Sequence, residues 1–90
     1  MPALQETIRI INKQGLHARP AALLVQVASK YTAKIEFECN DTRVNGKSIM
    51  GVMMLAAAQG SDLIVYADGD DAEESIHGIR ELIERKFDED

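Results

Sequence analysis

Three stretches of the chain carry the residue pattern of β-strands. Apolar and polar residues alternate over residues 4–11 and 34–39, which is typical of strands with one buried face. Residues 62–68 are mostly apolar, which indicates a more deeply buried strand. Asn40-Asp41 is a turn signal, so a short return strand is predicted to begin at Arg43-Val44.

Helical spacing marks the stretches between these strands. Residues 18–30 predict a helix whose buried face carries Ala21, Leu24, Val25, Ala28 and Tyr31. Ser48 is a favourable N-cap for residues 49–58, which are apolar nearly all round. The last helix is opened by acidic residues and closed by basic ones, as its dipole favours. Its predicted core stripe is Ala72, Ile76, Ile79, Ile83 and Phe87.

The element order is therefore β-α-β-β-α-β-α. This order predicts an α+β fold, an open-faced β-sandwich in which a four-stranded antiparallel sheet carries three helices on one face. Ninety residues without a linker, a repeat or a low-complexity segment indicate a single domain over residues 1–90.

Composition narrows the function classes. A net charge of −5 argues against a nucleic-acid partner, because the phosphate backbone demands a basic surface. No run of eighteen apolar residues is present, so no membrane partner is expected. The single cysteine, Cys39, excludes an internal disulfide and is interpreted as a small core residue. With no secretory signal at residues 1–6, a cytoplasmic location is predicted.

The most informative stretch of the sequence is residues 15–22. His17 stands where a glycine-led loop turns into a helix, and Arg19 and Pro20 follow in the first turn. A histidine there can be an indifferent cap, and the arginine can be a solvated surface residue. However, an arginine in a first turn opposes the helix dipole, and Pro20 disfavours helical backbone at Arg19. Since helix N–H groups bind anions, the pattern points to a histidine that acquires a negatively charged group.

Two motifs in register carry a resemblance to a known family. Gly15-Leu16-His17-Ala18-Arg19-Pro20-Ala21 and the later stretch at residues 45–53, Asn-Gly-Lys-Ser-Ile-Met-Gly-Val-Met, resemble the HPr family of histidine-containing phosphocarriers of the bacterial phosphoenolpyruvate-dependent phosphotransferase system. The resemblance covers essentially the whole chain. It implies that His17 accepts a phosphoryl group from phosphorylated enzyme I and passes it to an enzyme IIA domain, with Arg19 stabilising the phosphate. It also implies a carrier rather than an autonomous enzyme, with no cofactor and no metal.

The second motif adds regulation and docking to the prediction. An N-cap serine needs no regulatory role, but in many members of the family the residue matching Ser48 is phosphorylated by a bifunctional HPr kinase/phosphorylase. That enzyme is therefore a candidate partner. The following helical segment is apolar nearly all round, so part of its apolar surface must face solvent or a partner. Ile49, Met50 and Met53 are therefore predicted to form a docking patch. Leu23 and Leu24 are candidate neighbours of this patch. The chain is expected to be a monomer.

Other readings of the chain remain open at this point. The protein could signal carbon or nitrogen status through the same His17 and Ser48 chemistry without sugar transport. It could also be an α/β interaction module in which His17 is incidental. His77 is expected to be a surface residue, and the acidic run is interpreted as a solvated helix face. The short acidic tail Asp88-Glu89-Asp90 is unremarkable for a member of the family it resembles.

Overall fold

The sheet has the predicted antiparallel topology. A computed structural model describes residues 3–89, in which β1 (Leu4–Arg9), β2 (Lys34–Cys39), β3 (Thr42–Asn45) and β4 (Asp62–Asp68) form one four-stranded sheet in the order β1-β4-β2-β3. β4 pairs with both β1 and β2, so it lies inside the sheet. The predicted bounds of β2 and β4 are confirmed, whereas β1 ends two residues earlier than predicted.

The hairpin between β2 and β3 follows from its two turn residues. Asn40 and Asp41 both have positive φ, at 53° and 64°. Left-handed backbone at both central residues gives the two-residue turn whose twist matches that of paired strands, and Asn and Asp tolerate this conformation best after glycine. The turn sets Cys39 opposite Thr42 in the register.

Three helices cover the apolar face of the sheet. They are α1 (Ala18–Ala28), α2 (Ile49–Met54) and α3 (Ala72–Glu84), and a short 3-10 turn follows at Lys86–Asp88. The sheet contributes alternate residues to the core, which are Ile8, Ile35, Phe37, Cys39, Leu63, Val65 and Ala67. This architecture confirms the predicted fold. On α1, Ala21, Leu24 and Ala28 are buried. Of the other predicted core residues, Val25 on α1 and Tyr31, which lies beyond the end of the helix, are only partly buried.

The prediction that the second helix spans residues 49–58 was wrong. α2 ends at Met54, and Ala56 adopts a left-handed backbone with φ of 50°. The chain leaves the helix there because the Ala57 carbonyl accepts a hydrogen bond from the Leu16 N–H, at 2.8 Å, in the loop before α1. An apolar sequence alone does not reveal this long-range constraint.

The last helix also ends earlier than its apolar stripe predicts. α3 stops at Glu84, and Lys86, Phe87 and Asp88 all have positive φ, between 55° and 59°. Phe87 is nevertheless fully buried. Its predicted place in the core is confirmed, but the chain brings it there through a left-handed turn rather than on a further turn of helix.

Asp71 connects the start of α3 to a distant loop. It is the N-cap residue, but its side chain makes no cap bond to its own helix. Instead its carboxylate accepts the backbone N–H groups of Thr32 and Ala33, each at 2.8 Å. The hydrogen bond from Thr32 is the main cause that lowers the pKa of Asp71 from its ordinary value. The carboxylate thereby fixes the loop that leads into β2.

Candidate functional site

His17 lies at the start of α1, as predicted. It is the N-cap residue with extended backbone, at φ −78° and ψ −171°, and its carbonyl accepts the first helical bond from the Ala21 N–H at 3.0 Å. Its imidazole makes no cap bond to the helix. The leading N–H groups of α1 therefore keep the partial positive charge of a helix start and are not satisfied by their own cap.

The loop that holds His17 depends on a glycine. Gly15 has φ of 64°, and a Cβ atom there would lie 2.3 Å from the carbonyl oxygen of Ala57. Any side chain at this position would be strained by the left-handed backbone and would overlap the Ala57 carbonyl, and glycine avoids both. The neighbouring Leu16 is buried and bonded to the same carbonyl. The loop is thus fixed on both sides before the chain reaches the histidine.

Arg19 is available for an anionic ligand. It is exposed on the first turn of α1, two residues beyond His17, and it makes no hydrogen bond or ion pair with any of residues 3–89. Arg19 is helical, so tertiary structure overrides the preference that Pro20 imposes on it. A guanidinium in this state can donate to phosphate oxygens without first leaving a protein partner.

Glu89, in the acidic tail, contacts the imidazole of His17. Both carboxylate oxygens of Glu89 lie 3.2 Å from Nε2 of His17, and Nδ2 of Asn12 donates to Oε1 of Glu89 at 2.8 Å. The side chain of Glu89 is 14% exposed and that of His17 is 37% exposed. Glu89, in a tail that the sequence alone marks as unremarkable, therefore lies against the candidate site. Asp90 lies outside the described residues.

Nothing local in the sequence points to Glu89 as the partner of His17, or to Asn12 as the residue that holds Glu89. Glu89 is 72 residues away along the chain, and it reaches the histidine only because the left-handed turn after α3 redirects the tail. Asn12 is fully buried within an otherwise ordinary polar loop. Polar loop residues are usually exposed, so the burial of Asn12 becomes apparent only in the structure.

Ser48 is the N-cap of α2, as predicted. Its hydroxyl oxygen accepts a hydrogen bond from the Gly51 N–H at 3.1 Å, so the side chain satisfies its own helix start. The residue is half-buried. The loop before it is held by Lys47, whose Nζ donates to the Tyr31 carbonyl at 2.7 Å.

An apolar surface follows directly after Ser48. We call it the α2 patch, and it consists of Ile49, Met50, Met53 and Met54, which are 42%, 71%, 42% and 70% exposed. The three residues predicted as a docking patch are all in it, and Met54 extends it. Leu24 is fully buried and cannot contribute, whereas Leu23 is partly buried. Because α1 packs against α2, the patch and His17 belong to neighbouring elements.

The remaining candidates are structural or solvent-exposed. His77 is exposed on α3 beside Glu81, at 3.4 Å, and Cys39 is buried in the core. Among residues 3–89, no group of three or more His, Cys, Asp or Glu side chains could hold a metal ion. No helix in this part of the chain is long and apolar enough to cross a membrane.

Comparisons with known proteins agree with this fold. A family model for the PTS HPr component phosphorylation site matches residues 4–85. The phosphocarrier protein HPr of Treponema pallidum is 46% identical over 85 residues, which are 94% of this chain and 97% of the relative. That of Pseudomonas aeruginosa is 48% identical over 90 residues, covering 99% and 98%. A crystal structure of HPr from Thermoanaerobacter tengcongensis gives a TM-score of 0.92 at 52% identity, covering 97% of this chain and 98% of that chain.

The fold and the family model define the class of the protein as a phosphocarrier. The family model and these relatives show that the chain belongs to the HPr family. Its function is that of a phosphoryl carrier in the phosphotransferase system, and its partners are components of that system.

Proposed function

We propose that His17 is the residue that carries the phosphoryl group, with Arg19 as its electrostatic partner. The observation that supports this most strongly is that the N-cap side chain of α1 makes no cap bond, while the guanidinium of Arg19 in the same turn has no partner among residues 3–89. Nε2 of the imidazole contacts Glu89, and Nδ1 makes no hydrogen bond within residues 3–89, so Nδ1 is the nitrogen available for nucleophilic attack. The N–H groups of α1 and Arg19 can receive the phosphate oxygens.

The site suits reversible transfer of a phosphoryl group better than its long-term retention. Phosphoryl transfer needs chiefly positioning and charge stabilisation, and neither a metal nor a cofactor is required at a phosphohistidine. One exposed arginine and a few backbone donors hold the phosphate only moderately, so the group can leave again. We therefore infer a carrier that depends on its partners for catalysis rather than an enzyme.

Enzyme I is the proposed donor and an enzyme IIA domain the proposed acceptor. Ile49, Met50 and Met53 within the α2 patch are the proposed docking surface for both. Thioether side chains adapt to differently shaped partners, and the patch borders the element that carries His17. We further propose a monomeric, cytoplasmic protein with a single HPr domain over residues 1–90. No observation favours a purely regulatory role.

Ser48 is the proposed regulatory phosphorylation site, with a bifunctional HPr kinase/phosphorylase as its partner. Phosphate at a helix start is favoured by the dipole, so α2 should survive the modification. The added charge would adjoin the α2 patch and oppose docking of apolar partner surfaces. Ser48→Asp should therefore slow transfer from enzyme I to His17, and equal rates in wild type and variant would contradict this role.

Phosphorylation with phosphoenolpyruvate and enzyme I tests the assignment of His17. The wild type should acquire a phosphoryl group that acid removes, because the N–P bond of phosphohistidine is acid-labile. His17→Ala should acquire none, while His77→Ala serves as the matched control and should be labelled normally. Arg19→Ala should be labelled about tenfold or more slowly, because a hydrogen-bonded charge to the phosphate is lost. An acid-stable label, or labelling of His17→Ala, contradicts the proposal.

A further inference from the structure

Glu89 makes a contact with His17 that the carrier function does not itself require. Its two carboxylate oxygens lie at equal distances, 3.2 Å, from Nε2 of the imidazole. A carboxylate only accepts hydrogen bonds, so this contact requires a proton on Nε2. Nδ1 makes no hydrogen bond within residues 3–89, and in the neutral ring it therefore carries the lone pair.

Buried Asn12 holds the carboxylate in place. Its Nδ2 donates to Oε1 of Glu89 at 2.8 Å and to the Gly15 carbonyl at 2.9 Å, so it joins the tail to the loop that carries His17. Both acceptors require the NH₂ group on this side, which fixes the orientation of the amide. Its Oδ1 is buried and has no hydrogen-bond partner among the described residues. An unsatisfied buried amide oxygen is unfavourable, and it persists here beside the candidate site.

The backbone that delivers Glu89 is unfavourable as well. Lys86, Phe87 and Asp88 are three consecutive residues other than glycine with left-handed backbone. Side chains oppose this conformation at each of them. The fully buried Phe87 anchors the turn in the core, and Glu89 follows directly after it. Backbone strain that the fold maintains beside a reacting group is a feature of functional sites.

We propose that Glu89, held by Asn12, is a positioning residue that fixes the ring orientation and tautomer of His17 for phosphoryl transfer. This inference rests on the proposed role of His17. The lone pair of Nδ1 forms the new N–P bond, while the bond from phosphorus to the donor atom breaks and its electron pair returns to the donor. The proton on Nε2 stays in place. The ring becomes positively charged, and the Glu89 carboxylate stabilises that charge, as a carboxylate does for a catalytic histidine in serine hydrolases.

Four variants separate this role from a merely structural one. Glu89→Ala removes both the acceptor and the charge. Glu89→Gln keeps an oxygen that can accept the Nε2 proton but removes the charge. Asn12→Ala releases the carboxylate, and Asp88→Asn is the matched control, because Asp88 lies in the same turn and pairs only with Arg85 among the described residues. Two measurements are made on each: steady-state transfer from phosphorylated enzyme I, and ¹⁵N chemical shifts of the His17 ring.

Glu89→Ala should lower kcat about tenfold with little change in KM, since ring orientation changes and the docking surface does not. Its two ring nitrogens should shift towards each other, because both tautomers become populated. Glu89→Gln should restore the ring shifts and recover part of kcat, Asn12→Ala should fall between wild type and Glu89→Ala, and Asp88→Asn should match wild type.

Unchanged kcat or unchanged ring shifts in Glu89→Ala would overturn the positioning role while leaving His17 as the carrier. Labelling of His17→Ala would instead remove the proposed function itself. The two failures are therefore distinguishable.

Discussion

The starts of α1 and α2 are built alike and are satisfied differently. Each N-cap residue, His17 or Ser48, has extended backbone, and each accepts the first helical bond through its carbonyl. Ser48 also accepts an N–H with its hydroxyl, whereas the imidazole of His17 turns to Glu89. A helix start that satisfies itself contributes to stability, and one that stays open can bind an anion.

The starts of α1 and α2 are therefore ordered by different interactions. At the start of α1 the surrounding loop supplies the order that a cap would normally provide, through Gly15, Leu16 and the Ala57 carbonyl. At the start of α2 the order comes from the cap itself, the hydrogen bond from the Gly51 N–H to the Ser48 hydroxyl. We therefore expect substitutions at the loop of α1 to unfold the site, and substitution of Ser48 to weaken the helix without affecting the chemistry at His17.

The largest effect is expected at Gly15. Gly15→Ala places a Cβ atom against the Ala57 carbonyl and forces an L-residue into left-handed backbone. The free energy of unfolding should fall by about 3 kcal/mol, from overpacking and backbone strain together. Chemical denaturation measures it.

Gly60→Ala is the matched control for Gly15→Ala. Gly60 also has positive φ, at 89°, but nothing lies within 4 Å of the Cβ position. This variant should lose only about 1 kcal/mol. Equal losses in the two variants would show that the loop is not held by its close approach to residue 57.

The α2 patch should respond to charge at Met50. Met50→Glu introduces a carboxylate at the most exposed position of the patch, and we expect KM for enzyme I to rise about tenfold, as when an interface anchor is lost. Met50→Leu keeps an apolar side chain and should behave like the wild type. If the glutamate variant transfers with an unchanged KM, partners dock elsewhere.

At the start of α2 the prediction concerns stability. Ser48→Ala removes the hydroxyl that accepts the Gly51 N–H, and the protein should lose about 1 kcal/mol of unfolding free energy. Phosphoryl transfer to His17 should stay at the wild-type rate, because the start of α1 is untouched. Ser48→Thr, which keeps the cap, should recover most of the stability. A loss of transfer activity in Ser48→Ala would remove the contrast between the two helix starts.

The start of α3 gives a smaller, pH-dependent effect. Two backbone N–H groups favour the ionised form of Asp71, so its pKa in the folded protein lies below the ordinary value of 3.8. The stabilisation is therefore complete above that value and is lost as the pH falls through the lowered pKa. Asp71→Asn should lower the Tm by a few degrees at pH 7, and the difference from wild type should shrink below about pH 4.

Asp70→Asn is the control for Asp71→Asn, because Asp70 is exposed and makes no hydrogen bond among the described residues. Its Tm should follow that of the wild type at both ends of the pH range. A pH-independent deficit in Asp71→Asn would contradict the role of the ionised carboxylate.

Local patterns predicted most of the fold. Alternation located β2 and a mostly apolar stretch located β4, both at their observed bounds. The Asn40-Asp41 turn indicated the hairpin, because strand faces and tight turns depend on neighbouring residues. The early ends of α2 and α3 were not predictable. They depend on a hydrogen bond from Leu16 to Ala57 and on left-handed residues that are not glycine.

The site was predictable to the same extent. His17, Arg19 and Ser48 sit in motifs that are legible along the chain, and the structure places them at two helix starts. Glu89 contacts His17, and Asn12 contacts Glu89, only in the folded protein, so no spacing in the sequence reveals these contacts.

The most direct test of the role of His17 is to observe the N–P bond. Protein labelled with ¹⁵N in its histidine rings is phosphorylated by enzyme I and phosphoenolpyruvate, and coupling between ³¹P and ring nitrogen is measured by NMR. Because the chain has two histidines, the signals can be assigned with His77→Ala. We expect coupling between ³¹P and Nδ1 of His17, and none between ³¹P and the ring nitrogens of His77. A phosphoryl resonance without coupling to a His17 nitrogen would contradict the assignment of His17 as the phosphoryl carrier.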